Sequence, residues 1–122
     1  MSLKKVLIVD DEPNIVLALR VLLEGQGYDI EYCFDGTSAI ETLEGFIPDL
    51  VLLDVMMPGV DGFTVAKFIR NNVELLHTNI IFLTAKGTKD DKMEGYKSGA
   101  EYYIVKPFDN DNILEKVKEL LS

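Results

Sequence analysis

The residues of this sequence that could do chemistry are acids, a hydroxyl and an amine, and each directly follows a short apolar run. Asp10, Asp11 and Glu12 follow the first run, and Asp54 follows a later one. Carboxylates that meet in a fold repel one another and raise their own pKa values unless a cation compensates them. Mg²⁺ suits such a site, because it binds carboxylates and phosphate oxygens and retains several waters. The acids therefore predict a magnesium site.

With its charge compensated, Asp54 is the residue that could attack phosphorus. Carboxylates that form aspartyl phosphates are a known solution to covalent phosphoryl transfer, which needs positioning and charge neutralisation more than acid or base help. Thr84 and Lys106 also follow apolar runs. The Lys106 ammonium could approach one phosphoryl oxygen, and the Thr84 hydroxyl could donate a hydrogen bond to another. The sequence thus indicates phosphoryl chemistry at Asp54.

Each of these residues also has an ordinary explanation. Asp11 or Glu12 could cap a helix, Thr84 could simply end a strand, and Lys106 could be a solvated lysine. Asp54 is harder to explain in this way, because a carboxylate at the mouth of a buried strand costs free energy without a partner. The joint placement of these residues after strands favours the functional interpretation.

The elements that must position these residues alternate along the chain. Four apolar runs without period-2 alternation predict strands buried on both faces of a parallel sheet. A fifth run, at residues 28–34, alternates apolar and polar residues and predicts an edge strand. The four buried runs are residues 6–9, 50–53, 80–83 and 102–105.

Five helices are predicted between and after the strands. Ser38 and Glu41 have the spacing of a capping box for the second helix, the Asp61-Gly62 turn precedes the third, and a more polar fourth helix covers residues 89–97. Apolar stripes at helical spacing mark the other helices. The stripes of the first, third and fifth helices are Ile15, Ala18, Leu19, Leu22 and Leu23; Phe63, Ala66 and Ile69; and Ile113, Leu114, Val117, Leu120 and Leu121.

Strand followed by helix, five times over, predicts an α/β fold with an open parallel sheet. Right-handed crossovers place helices on both faces of such a sheet, and ligands bind at the carboxyl ends of its strands near a topological switch point. We therefore expect the acids, Thr84 and Lys106 to meet at that edge.

The composition limits the possible functions. The chain has 122 residues, and we expect residues 1–122 to form one domain. A net charge of −9 disfavours direct binding of nucleic acid, and no apolar run approaches the roughly 20 residues of a membrane helix. The single Cys33 and the lack of a signal sequence favour a cytoplasmic location. Neither Cys33 nor His77 has companions that would give it a role.

Four motifs in register give the chain a family resemblance. Over about residues 4–121 it resembles the receiver domain of bacterial two-component response regulators, in the style of the chemotaxis response regulator. The resemblance implies a flavodoxin-like, doubly wound, five-stranded parallel sheet of order 2-1-3-4-5 with five helices. The motifs occupy residues 9–12, 53–62, 83–85 and 99–108.

The resemblance also implies roles for individual residues. Asp54 would accept a phosphoryl group from a histidine kinase or phosphotransfer protein. Mg²⁺ would be held by Asp11, Asp54 and the main-chain carbonyl of Met56, with Asp10 acting through water. Met56 and Lys86 would flank the path of the water that removes the phosphoryl group. Since neither offers a carboxylate, we expect slow self-dephosphorylation.

A second set of implied roles concerns switching. Thr84 would move toward the phosphoryl group, Tyr103 would rotate inward behind it, and Lys106, before a cis peptide bond to Pro107, would contact a phosphoryl oxygen. The changed surface would bind a downstream protein partner or a fused effector domain. The chain would then be a signalling switch and not an enzyme.

Three other functions compete with this switch. A phosphatase of the haloacid dehalogenase kind would need a second Asp two residues after its nucleophile, where this chain has Met56. A flavodoxin would need a hydroxyl and glycine loop after the first strand, where this chain has acids. A pseudo-receiver that serves only as a docking domain would not need a complete site. The complete set is Asp10, Asp11, Asp54, Thr84 and Lys106.

Overall fold

One parallel sheet organises the chain in the computed structural model, which describes residues 3–122. The strands are β1 (Lys5–Val9), β2 (Asp29–Cys33), β3 (Leu50–Leu53), β4 (Asn79–Thr84) and β5 (Tyr102–Val105). They lie in the order β2-β1-β3-β4-β5, and every neighbouring pair is parallel. The predicted fold and strand order are confirmed. The order reverses at β1, so the carboxyl ends of β1 and β3 flank the switch point.

All five predicted helices are present, together with a short 3₁₀ turn at Val73–Leu75. The helices are α1 (Pro13–Glu24), α2 (Gly36–Leu43), α3 (Gly62–Arg70), α4 (Lys89–Lys97) and α5 (Asn110–Leu121). Within residues 3–122, no helix has both the length and the apolar character needed to span a membrane.

Two local helix predictions were wrong. The capping box at Ser38 and Glu41 does not form, because Asp35 caps α2 and its carboxylate accepts from the Ser38 N–H at 2.7 Å. An acid three residues before Ser38 is a strong acceptor, so the helix starts earlier than predicted. In α1, Ala18 is exposed, whereas Val16 is buried beside Leu19. The larger Val16 side chain gains more from burial than an alanine does.

The core has a layer on each face of the sheet. The α2 and α3 side chains pack on one face, and those of α1 and α5 pack on the other. Successive residues of β1 serve both layers, since Leu7 packs with the first and Ile8 with the second. Both residues are fully buried, which explains why the strand sequence does not alternate. In α4 the one buried residue is Gly95, so this helix is held by few apolar contacts.

Candidate functional site

The predicted site residues meet at the carboxyl edge of the sheet. Asp10 and Asp54 follow β1 and β3 and are 2% and 4% exposed, while Thr84 ends β4 with 0% exposure. Main-chain hydrogen bonds fix their positions: the Asp54 N–H donates to the Val9 carbonyl at 2.9 Å, and the Lys106 N–H donates to the Thr84 carbonyl at 2.8 Å. The sheet ladder therefore continues into the site and holds its backbone rigidly.

Lys106 binds three carboxylates at once. Its Nζ lies 2.8 Å from Oδ2 of Asp10, 3.0 Å from Oε1 of Glu12 and 3.3 Å from Oδ2 of Asp54. Burial alone would lower the pKa of the Lys106 ammonium, but the hydrogen bonds to Asp10 and Glu12 outweigh it, and the charge of Asp54 adds to their effect. The pKa of Lys106 is raised as a result, so the ammonium stays charged at neutral pH.

The buried carboxyl of Asp10 has opposing neighbours. Burial raises its pKa above the usual range, and the charge of Asp54 acts in the same direction. The hydrogen bond from Lys106 and the Glu12 N–H, which donates to Oδ1 of Asp10 at 2.9 Å, act the other way. The raised pKa means that these hydrogen bonds do not fully offset the cost of burying the Asp10 carboxylate.

The acids at this edge fit a hard metal ion. Asp10, Asp11, Glu12 and Asp54 each offer one carboxylate oxygen, and these oxygens all lie within 4.8 Å of one another. Four acids against the single Lys106 ammonium leave excess negative charge, and an all-oxygen donor set selects Mg²⁺, Ca²⁺ or Mn²⁺ over softer metals.

Glu12 was missing from the predicted metal ligands and is a member of the cluster. It occupies the N-cap position of α1 without a cap hydrogen bond from its side chain, so the capping explanation does not hold for this acid. Its position next to Asp11 was a signal that could have included it. Met56, which was predicted to contribute its carbonyl, lies beside the cluster, and its N–H donates to Oδ1 of Asp54 at 3.3 Å.

An open cleft of about 380 Å³ lies next to the cluster. Met56 joins this cleft to the buried Asp54, because Met56 lies in the cleft wall and its N–H donates to Oδ1 of Asp54 at 3.3 Å. Asp61, which also caps α3 by accepting from the Thr64 N–H at 2.9 Å, belongs to the cleft wall and was predicted only as a turn residue. The wall consists of Asp11, Val55, Met56, Met57, Pro58, Asp61 and Lys86.

Thr84 and Tyr103 meet at the main chain of Lys86. The Lys86 N–H donates to the Thr84 hydroxyl at 3.3 Å, and the Tyr103 hydroxyl donates to the Lys86 carbonyl at 2.6 Å. The Tyr103 ring is turned inward, 8% exposed, and burial raises the pKa of Tyr103 to about 12. Gly95 makes room for it, since a Cβ there would lie 2.5 Å from a Tyr103 ring carbon. Thr84 is thus linked through one residue to the α4 side of the sheet.

The other residues singled out in the sequence lie as follows. The Lys106-Pro107 peptide bond is cis. The Cys33 thiol is buried 3.3 Å from the Thr42 hydroxyl, and burial raises its pKa. His77 is an exposed residue after the 3₁₀ turn. Neither Cys33 nor His77 belongs to the acid cluster.

Comparisons with known proteins agree with this fold. The family described as the response regulator receiver domain matches residues 6–118. The DNA-binding dual master transcriptional regulator RpaA of Synechocystis is 39% identical over 117 residues, which cover 96% of this chain and 48% of that protein. The chain therefore spans about half the length of this relative.

Solved structures of receiver domains and chemotaxis proteins are also similar to this chain. The chemotaxis protein CheY4 of Vibrio cholerae is 32% identical, with a TM-score of 0.92 and coverage of 98% of this chain and 100% of that one. The Francisella response regulator 1452 receiver domain is 33% identical, with a TM-score of 0.87 and coverage of 96% and 95%.

The fold and the site together define an α/β domain with acids, a threonine and a lysine gathered at the carboxyl edge of its parallel sheet. The chain belongs to the response regulator receiver domain family of two-component signalling. Membership in this family favours the switch over the phosphatase and the flavodoxin. The pseudo-receiver differs from the switch only in whether the domain can be phosphorylated, and the labelling experiment below tests that difference.

Proposed function

We propose that this receiver domain accepts a phosphoryl group on Asp54 in a Mg²⁺-dependent reaction and thereby changes its partner-binding surface. One observation carries the proposal. The buried Asp54 carboxylate lies 3.3 Å from the Lys106 ammonium and within 4.8 Å of the carboxylates of Asp10, Asp11 and Glu12. Burial of a carboxylate among other charged groups lowers the stability of the fold, so this arrangement is better explained by the binding of a charged substrate.

In the proposed reaction, an oxygen of Asp54 forms a bond to phosphorus while the bond from phosphorus to a histidine nitrogen of the donor breaks. The electron pair of that bond stays on the histidine nitrogen. Lys106 offers its charge to a phosphoryl oxygen, and Thr84 has a hydroxyl that can donate to another once its contact with Lys86 rearranges. Asp10, Asp11, Glu12 and Asp54 would hold Mg²⁺, which supplies charge neutralisation for the phosphoryl oxygens.

The partners follow from the same proposal. A histidine kinase or phosphotransfer protein supplies the phosphoryl group, and a downstream protein or a fused effector domain reads the change. RpaA is described as DNA-binding, but a net charge of −9 argues against direct DNA contact by this domain. In this function the domain is a cytoplasmic switch that assists its own phosphorylation and dephosphorylation, and not an enzyme.

Labelling with a small phosphodonor tests the function and its metal dependence. Incubation with acetyl phosphate and Mg²⁺ should add one phosphoryl group to the intact chain, measured by mass spectrometry. Chelation of the metal should remove the labelling, because the acid cluster then repels the donor. A control with Ca²⁺ restored in place of Mg²⁺ tests the choice of metal. Labelling that survives the chelator, or no mass change with Mg²⁺, contradicts the proposal.

A second prediction concerns transmission through Thr84. Binding of a phosphoryl mimic, beryllium fluoride with Mg²⁺, should change amide hydrogen exchange over residues 85–108, because the Thr84 and Tyr103 hydroxyls both contact Lys86. Thr84→Ala should confine the change to the surroundings of Asp54. Thr84→Ser keeps the hydroxyl and should respond like wild type. Equal responses of the Ala variant and wild type would show that Thr84 does not carry the signal.

A further inference from the structure

The side chain of Lys86 has a partner outside the acid cluster. Its Nζ lies 3.6 Å from Oδ1 of Asp91, in the first turn of α4. Asp91 is held firmly, because its Oδ2 accepts from the Thr88 N–H at 3.2 Å and its own N–H donates to the Thr88 hydroxyl at 3.1 Å. A carboxylate fixed by a capping box therefore sets the direction of a flexible lysine.

The same lysine also forms part of the cleft beside Asp54. Its neighbours in the cleft wall include Met56, whose N–H donates to Oδ1 of Asp54, and Asp11, whose carboxylate belongs to the acid cluster. The Lys86 main chain is fixed at both ends, by the Thr84 hydroxyl and the Tyr103 hydroxyl. Its half-exposed side chain lines the cleft wall while its ammonium pairs with Asp91, and this side chain is the part of the residue that can swing further across the cleft.

We propose that Asp91 is a positioning residue that holds the Lys86 ammonium at the start of α4 and so keeps the cleft open to the water that hydrolyses phospho-Asp54. This inference rests on the proposed function. It adds a residue outside the acid cluster that sets the lifetime of the signal. Asp91 must hold the Lys86 ammonium against the attraction of the phosphoryl group, because that group brings roughly two negative charges within reach of the mobile side chain.

The hydrolysis step defines what a displaced Lys86 would obstruct. The oxygen of water bonds to phosphorus opposite the Asp54 oxygen, the bond from phosphorus to Asp54 breaks, and the carboxylate is regenerated. Orthophosphate leaves with both hydrogens of the water. The attacking water must lie in line with the breaking bond. A lysine laid across the phosphoryl group from the cleft wall occupies that space.

The size of the effect follows from the strength of the ion pair. Lys86 is 40% and Asp91 15% exposed, and pairs this exposed are weak. Loss of the ion pair can therefore raise the fraction of Lys86 side chains that lie across the cleft by about two- to fivefold. Hydrolysis of phospho-Asp54 would slow by the same factor.

The test compares the decay of phospho-Asp54 in matched variants after the phosphodonor is removed. Asp91→Asn should slow the decay by about two- to fivefold. Asp90→Asn removes the same charge from the same helical turn and should decay like wild type, and Asp91→Glu, which keeps a carboxylate, should restore most of the wild-type rate. In the unphosphorylated protein, the Lys86 ¹⁵Nζ resonance should shift in Asp91→Asn and not in Asp90→Asn.

A Lys86→Met background separates positioning from a merely structural role. There, adding Asp91→Asn should leave the decay unchanged, because no ammonium remains to be held. The inference is overturned if Asp91→Asn decays at the wild-type rate or faster, or if it slows decay equally without Lys86. A wild-type protein that takes no phosphoryl group overturns the proposed function and this inference together, whereas a labelled protein that ignores Asp91→Asn overturns the inference alone.

Discussion

Asp54→Asn is expected to abolish phosphoryl labelling, which is the largest effect on activity that the site predicts. An amide lacks the anionic oxygen that must attack phosphorus. The replacement is nearly isosteric, and its amide oxygen can still accept from the Met56 N–H that now donates to Oδ1 at 3.3 Å. The variant should therefore remain folded, with an unfolding midpoint close to that of wild type, and lose the label completely in mass spectra.

Asp61→Asn is the matched control for this experiment. Asp61 belongs to the wall of the same cleft, so the substitution makes the same chemical change a short distance away. Asn serves as an N-cap nearly as well as Asp, so α3 should be retained. We expect normal labelling in this control. If Asp54→Asn carries the same acid-labile phosphoryl group as wild type, the assignment of Asp54 is wrong.

Gly62→Ala should cause the largest loss of stability among simple substitutions near the site. A Cβ at Gly62 would lie 2.1 Å from the carbonyl oxygen of Asp54 and 2.9 Å from the Cα of Val55. Both are main-chain atoms, so no rotamer change can relieve the clash. We expect the free energy of unfolding to fall by about 3 kcal/mol, measured by urea denaturation. Labelling should fall as well, because the clash displaces the main chain that carries the nucleophile.

Gly45→Ala provides the comparison for backbone effects. An added Cβ there meets no atom within 4 Å, and the residue lies in an exposed loop. Its free energy of unfolding should change by less than about 1 kcal/mol. Equal losses in the two variants would mean that α3 does not pack against the Asp54 main chain as the structure describes.

Much of the fold could be predicted because its signals are local. The β3 and β5 boundaries match the predicted runs, since a strand buried on both faces is continuously apolar. The α3 stripe at Phe63, Ala66 and Ile69 is buried as expected, because helical periodicity fixes which residues share a face. The α1 stripe was less reliable, since Val16 and Ala18 are both apolar and their burial depends on the sheet beneath them.

The strand order could not be predicted from local signals. Periodicity predicted a parallel sheet, and only the resemblance implied the order that the structure confirms. The acids and Lys106 could be placed at one edge because the carboxyl ends of parallel strands meet there. Phosphorylation, Mg²⁺ binding and the roles of Thr84 and Tyr103 stay predictions for the experiments above.

The sequence by itself determined the elements, the parallel sheet and the edge at which the polar residues gather, because these depend on short-range periodicity and on the geometry of strands. The tertiary structure decided the pairings. Glu12 contacts Lys106 across 94 positions of sequence, and Lys86 turns to Asp91 although the acid cluster lies nearby. Such choices depend on strand order, burial and the direction of individual side chains, which become defined when distant parts of the chain pack together.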